Sequence, residues 1–167
     1  EAAVRTATPA GVFHVGGMAK GAGMIEPNLA TMLGFLTTDA DVGPDMLKSA
    51  LAEAADDTFN AITVDGETST NDMVLLLASG RSGVRIEEPD YPTFVDALRT
   101  VCRELALAVV TGGEGATKLV MITVTGAHTT NDAKHTARAI ANSPLVKTAV
   151  HGGDPNWGRL VAVAGRA

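Results

Sequence analysis

The stretch Gly16–Asp39, GGMAKGAGMIEPNLATMLGFLTTD, decides how this chain is read. It runs from a glycine-rich segment, Gly16 to Gly23, through Pro27 and the small-residue–threonine pair Ala30-Thr31 into the apolar run Met32 to Thr38. Glycines permit positive φ and close approach of backbones. A short run that is apolar at nearly every position is the pattern of a buried strand. The order therefore suits a threonine at the start of a buried strand with a flexible backbone packed against it. Upstream, the alternation in Val12 to Val15 predicts a short strand feeding the glycine-rich loop.

Working outward, Asp39-Ala40-Asp41 starts a turn, and Pro44 suits the first turn of a helix capped by Gly43 or Asp41. Met46, Leu47, Ala50, Leu51, Ala54, Ala55 and Phe59 recur at helical spacing over 45–60. Ala61 to Val64 reads as a short β-branched strand, Asp65-Gly66 as a turn, and Met73 to Ala78 as a central strand. Arg81 to Glu88 is a charged connection. Pro92 to Val110 carries Phe94, Val95, Leu98, Val101, Cys102, Leu105 and Val109 on one helical face, and Gly112-Gly113-Glu114-Gly115 breaks it. Leu119 to Val124 predicts a third strand. Thr130 to Ala141 predicts a helix capped by Thr129, Thr130 or Asn131. Pro144 to Val150 predicts a short fourth helix, and Asn156 to Val163 is helix-compatible. Strands alternating with helices, through connections too short for repeated parallel crossovers, point to an α/β fold: a layered sandwich of largely antiparallel or mixed sheets with helices.

The bulk composition narrows the function. The 167 residues fit one domain or a piece of one, and 46% hydrophobic residues suffice for a core. Aromatics are only 4%, so the core is aliphatic. A net charge of −6, no basic stripe and few aromatics disfavour nucleic acid as a partner. Cys102 is the single cysteine, which excludes a disulfide framework within the chain and makes a reducing, cytoplasmic setting the default. No apolar run is long enough to span a bilayer. Both ends fall in apparently structured sequence, which reads as a piece of a longer chain.

Thr31 is the candidate nucleophile. A threonine hydroxyl attacks poorly unless a base takes its proton, and an N-terminal threonine can use its own α-amine, whose pKa of about 7.7–8.0 suits neutral pH. Thr31 would become N-terminal by attacking the Ala30 carbonyl, passing through an ester that water hydrolyses. That step needs a tightly turned peptide and an oxyanion hole. A strand-start threonine without chemistry is the competing reading. Lys20, between glycines, could anchor a carboxylate or phosphate, or be a solvated loop residue; its spacing fails the phosphate-loop pattern. Glu114 could receive a substrate ammonium, or simply belong to a helix-ending loop. Asp65, Glu67, Asn71 and Asp72 fail the calcium-loop spacing and read as turn and capping residues rather than metal ligands. His14, His128, His135 and His151 lack ligand spacing. Cys102 reads as core. HGGDPNWGR, 151–159, could line a site or be a helix entry capped by Asp154 or Asn156.

Four motifs, GGMAKGAGMIEPNLATMLGFLTTDA, TVDGETSTNDMVLLLASG, GGEGATK and DPNWGRLVAVAGRA, occur in one order over nearly the whole chain. Together they resemble the ornithine acetyltransferase family, also called glutamate N-acetyltransferases or the bifunctional ArgJ proteins of arginine biosynthesis. The resemblance implies a layered α/β sandwich like that of N-terminal nucleophile hydrolases but distinct in connectivity. It implies self-cleavage between Ala30 and Thr31, so that 1–30 end an α subunit and 31–167 begin a β subunit of one incomplete catalytic region. It implies a ping-pong cycle in which Thr31 takes acetyl from N-acetylornithine and passes it to glutamate. Lys20 and Glu114 match the family's substrate-binding lysine and glutamate. No metal or organic cofactor is implied, although some members also use acetyl-CoA as a co-substrate. The α and β pieces are expected to stay together, paired as an α2β2 assembly. The family's oxyanion-hole pair and its C-terminal substrate residues have no counterpart within 1–167, so this piece alone is expected to be inactive. Two alternatives are a self-cleaving aminopeptidase of related fold and a non-catalytic carboxylate-binding domain.

Overall fold

A computed structural model describes residues 1–26 and 32–167. Its centre is a four-stranded sheet in the order β1 (Ala2–Thr8), β2 (Gly11–Lys20), β3 (Leu33–Thr38), β4 (Met73–Ala78). β1–β2 and β2–β3 pair antiparallel, and β3–β4 pair parallel. The fold is α/β with a mixed sheet, as the sequence implied. The parallel pairing needs a crossover, and α1 (Pro44–Asp56) supplies it within 39–72.

One face of the sheet is dry. Phe13, Val15, Leu36 and Leu76 point to it and are buried beneath α2 (Tyr91–Thr111) and α1. α2 buries Phe94, Leu98, Val101, Cys102, Leu105 and Val109, the face its spacing predicted. Ala50 and Ala54 of α1 are small and fully buried, which lets α1 sit close against its neighbours. Phe13 and Phe94 meet with ring centroids 5.9 Å apart in a tilted arrangement. Burial pushes the Cys102 thiol up to about 12, against a hydrogen bond with Thr58, so it is a packed apolar group. On the other face, Met18, Phe35, Leu75 and Leu77 are exposed.

Five segments differ from what their sequence predicts. Ala2–Thr8, given no element, is a full strand whose alternate residues turn toward the core. Gly16 to Lys20, expected in a loop, continues β2. The reason is packing: a Cβ on Gly17 would lie 2.6 Å from Leu36 Cδ2 and 2.7 Å from the Phe35 carbonyl oxygen, so only glycine fits under that part of the core. Ala61 to Val64 is not a strand; a 3-10 turn at Phe59–Ala61 leads into chain that makes one backbone bond to the loop, Val64 N–H to Ile25 O at 2.6 Å. β4, expected to be central, is the last strand of the described sheet. Leu119 to Val124 has strand composition but forms none among the described residues, because no strand lies beside it to share hydrogen bonds; Met121 is 73% exposed.

Three helices complete the described chain: α3 (Thr130–Asn142), α4 (Pro144–Gly152) and α5 (Trp157–Ala164). α3 opens with a capping box in which Thr129 Oγ1 accepts the Asp132 N–H and Asp132 Oδ2 accepts the Thr129 N–H, both at 3.1 Å. Ser143 caps α4. Asn156 occupies the N-cap position of α5 without a side-chain cap bond. No helix of the described residues is long and apolar enough to cross a membrane.

Candidate active site

One end of the sheet is where charge collects. The register sets Lys20 of β2 opposite Leu33 of β3, and Leu33 opposite Met73 of β4. From Lys20 the chain turns through 21–26, while Met32 leads into β3. Ala30 and Thr31, the expected cleavage pair, lie outside the described residues.

The 21–26 loop is pinned from several sides. Asp65 Oδ2 accepts the Met24 N–H at 2.7 Å, and Asp65 Oδ1 accepts the Ile25 N–H at 3.0 Å and the Glu67 N–H at 3.0 Å. Met24 has φ +54°, the left-handed region that side chains other than glycine and asparagine rarely adopt. The fully buried Ile25 side chain and the Asp65 bonds hold that conformation in place. Asp65 therefore does the turn work expected of it, and it does so across forty residues of sequence.

Glu114 docks on this loop, which follows directly from Lys20. The Glu114 N–H donates to Ala22 O at 2.8 Å, two residues beyond Lys20. The Glu114 carboxylate lies beside Gly23, where a Cβ would sit 3.6 Å from Glu114 Oε2. The GGEG break after α2 thus closes onto the glycine loop after β2. A cation at the end of β2 and a carboxylate docked on the loop that follows it are charges of the two signs that the carboxylate and ammonium ends of an amino acid require.

Asp72 is the residue the sequence reading undervalued. Grouped there with turn residues, it instead accepts the Met32 N–H on Oδ1 at 2.5 Å, at the entry to β3. Its Oδ2 is buried and has no hydrogen-bond partner among the described residues. Burial raises the Asp72 carboxyl above the ordinary range, opposed by the Met32 hydrogen bond and the charge of Lys20. The available signal was its position: Asp72 immediately precedes β4, the parallel partner of the strand that follows Thr31.

Upstream of the cleavage pair, Glu26 is fixed with equal care. Its Oε1 accepts from Arg138 Nη1 at 3.0 Å and from Asn142 Nδ2 at 2.8 Å, both on α3. Arg138 Nη2 also donates to the Asn60 carbonyl. Beyond Glu114 a cavity of about 270 Å³ is lined by Thr63, Val110, Lys118, Lys147 and His151 among others. Its lysines are occupied: Lys147 Nζ donates to Val64 O at 2.7 Å, and Lys118 Nζ to Val150 O and His151 O.

Of the remaining sequence candidates, His151 lines that cavity, and His14 and Trp157 do not. His14 lies on the exposed sheet face, 2.8 Å from Asp39. The HGGDPNWGR segment leaves Trp157 largely exposed beside a cavity of about 220 Å³ bounded by α4 and α5. No group of three or more His, Cys, Asp or Glu among the described residues is arranged to hold a metal ion.

Comparison with known proteins agrees with this architecture. The model of the ArgJ family matches residues 1–167. A protein of Chlorobium chlorochromatii named "Arginine biosynthesis bifunctional protein ArgJ" is 55% identical over 166 residues, covering 99% of this chain and 39% of that protein. Proteins of the same name from Dehalococcoides mccartyi and Bacillus cereus are 54% and 53% identical, over 93% and 92% of this chain and 39% and 38% of theirs. The chain therefore spans under two fifths of the length of these relatives. The crystal structure of the Bacillus halodurans protein of that name superposes with a TM-score of 0.77 at 46% identity, covering 81% of this chain and 65% of that one.

Proposed function

Because this chain belongs to the ArgJ family, we propose that it carries the nucleophile-bearing part of an acyltransferase of arginine biosynthesis, which moves acetyl from N-acetylornithine to glutamate. Thr31 is the nucleophile. The precursor cuts itself between Ala30 and Thr31, and the freed α-amine then serves as the base for the Thr31 hydroxyl. Attack on the acetyl carbonyl of N-acetylornithine gives an acetyl-threonine ester and releases ornithine. The glutamate amine takes the acetyl group in the second half-cycle. Lys20 holds the α-carboxylate and Glu114 an ammonium of the bound amino acid. Acetyl-CoA serves as an alternative acetyl donor, and neither a metal nor an organic cofactor takes part.

The observation that carries this reading is the docking of Glu114 on the 21–26 loop, which follows Lys20 at the end of the sheet where β3 begins. Two amino-acid substrates with shared α-carboxylates need such an opposite pair. The working unit is cytoplasmic, built from α and β pieces of one precursor and paired as α2β2, with the oxyanion hole supplied from outside residues 1–167.

The test is mass spectrometry of the full-length protein incubated with N-acetylornithine and no glutamate. One acetyl group is expected on the piece that begins at Thr31, and added glutamate should discharge it. An intact Ala30–Thr31 bond, or a cut protein that never acquires the adduct, would refute the mechanism and favour a plain carboxylate-binding domain.

A further inference from the structure

The two half-cycles of the transfer place opposite demands on one pocket. In N-acetylornithine the α-nitrogen is an uncharged amide, so the only ammonium Glu114 can hold is the one at the end of the side chain. The glutamate that follows has a side chain of similar length ending in a carboxylate. Set in the same place, it meets Glu114 as a like charge, which disfavours binding unless a cation lies within reach.

Resting on the reading of Glu114 above, we propose that Lys147 receives the side-chain carboxylate of the acceptor, so that one pocket serves an ammonium and a carboxylate in turn. Lys147 of α4 and Glu114 line the same cavity of about 270 Å³. Val64 ties their placement together. Its carbonyl accepts from Lys147 Nζ at 2.7 Å, and its N–H donates to Ile25 O at 2.6 Å, on the loop where Glu114 docks. Its side chain presses on the residue before Glu114: a Cβ on Gly113 would lie 3.0 Å from Val64 Cγ1.

Lys118 lines the cavity too and is the rival candidate. It is exposed, and its Nζ is tied to two carbonyls, Val150 O at 2.5 Å and His151 O at 2.8 Å. An ammonium has three N–H donors, so among the described residues Lys147 keeps two for a ligand and Lys118 keeps one. Lys147 is also half-buried, where its charge is screened less than on an open surface. The Val64 bond leaves that charge intact and holds the long side chain, so less rotamer freedom is lost when a carboxylate arrives. The aliphatic lining, Val110, Val146 and Val150, suits the methylene carbons that both substrate side chains share.

The experiment reads the half-reactions of the full-length protein separately. Acetyl is taken from N-acetylornithine, then passed to glutamate or to glutamine, whose side chain has the same shape without the charge. Lys147→Gln keeps an N–H donor for the Val64 carbonyl and removes the lysine charge. The KM for glutamate should rise about tenfold, the scale of a half-buried charge pair, and the preference for glutamate over glutamine should fall by the same factor. The KM for N-acetylornithine should not rise, and Lys147→Arg should retain the preference. An equal rise in both KM values, an unchanged preference, a wild type indifferent between the two acceptors, or the same loss in Lys118→Gln would overturn the assignment. If Lys147→Gln does not fold, Lys147→Met replaces it under the same criteria, and failure of both to fold makes the lysine structural and overturns its role as well. Wild-type protein that takes no acetyl from N-acetylornithine would sink the acetyl-transfer function itself, whereas normal acetylation with an unchanged preference in Lys147→Gln sinks only the role of Lys147.

Discussion

The sheet with α1 and α2 and the α3–α5 segment are held by different physics. The first has a continuous aliphatic core running from Phe13 and Leu36 through Ala50 to Leu98 and Val109. The second buries Ile140, Val146 and Val163 and little else. It is joined to the first by polar stitches: Arg138 and Asn142 to Glu26, Thr63 to Asn142 at 2.8 Å, Lys147 to the Val64 carbonyl, and Lys134 to Asp56 at 2.6 Å. Apolar burial is worth about 25 cal/mol per Å², whereas an exposed ion pair contributes about 0–1 kcal/mol. The first region is therefore the thermodynamic anchor. The second is positioned more than it is stabilised, and two of its stitches hold Glu26, on the chain that leads to the expected cleavage pair.

That contrast can be broken or sharpened by substitution in the full-length protein. Phe94→Ala should do most harm, because it removes a fully buried ring that meets Phe13: about 3–5 kcal/mol of global stability, read from the shift in denaturant midpoint. A loss below about 1 kcal/mol would mean the anchor lies elsewhere. Arg138→Met leaves the Glu26 carboxylate without its cation. The arginine is a third exposed, so the expected cost is about 1–3 kcal/mol, less than for a fully buried pair. Hydrogen exchange should rise across 130–164 while α2 stays protected; uniform loosening would erase the distinction between the regions. Thr129→Ala removes one half of the α3 capping box and should cost about 1 kcal/mol, seen as fraying of the first turn of α3.

The smallest effect is a pH dependence at Asp39. Burial pushes its carboxyl up, but the backbone and side-chain hydrogen bonds to His14 outweigh that and leave it below the ordinary value. A depressed folded pKa contributes stability above the unfolded value near 3.9, and that contribution disappears as pH falls through the folded one. Asp39→Asn should therefore lower the melting temperature slightly at pH 7 and not at all near pH 2. An equal deficit at both pH values would assign the effect to packing rather than charge.

Much of the anchor is legible in sequence because its signals are local. The apolar spacing of α2, Pro44 at the start of α1 and the runs that become β3 and β4 each report their own conformation. What escapes is whatever depends on a partner distant in sequence. Gly17 is glycine because Leu36 and the Phe35 carbonyl press against it, which no local pattern records. Leu119 to Val124 has a strand's composition without a strand's neighbour. The motif resemblance picked out Lys20 and Glu114, but the Glu114–Ala22 bond that docks Glu114 on the loop after Lys20 is long-range. Asp72 was hidden for the same reason: its partner, Met32, lies forty residues upstream.

The pairing of β2 with β3 runs directly across the expected scission, because the two strands lie on opposite sides of Ala30–Thr31. Before the cut, folding of this sheet is a one-molecule event. After such a cut the same ladder and the core beneath it, with Phe13 and Val15 on one piece and Leu36 and Leu98 on the other, would become a protein–protein interface. Unfolding then frees two chains, so the melting temperature of the processed protein should fall on dilution while that of Thr31→Ala stays constant. Denaturation of the processed form also becomes harder to reverse, since the pieces must find each other again by diffusion. Maturation would make the molecule remember its own assembly.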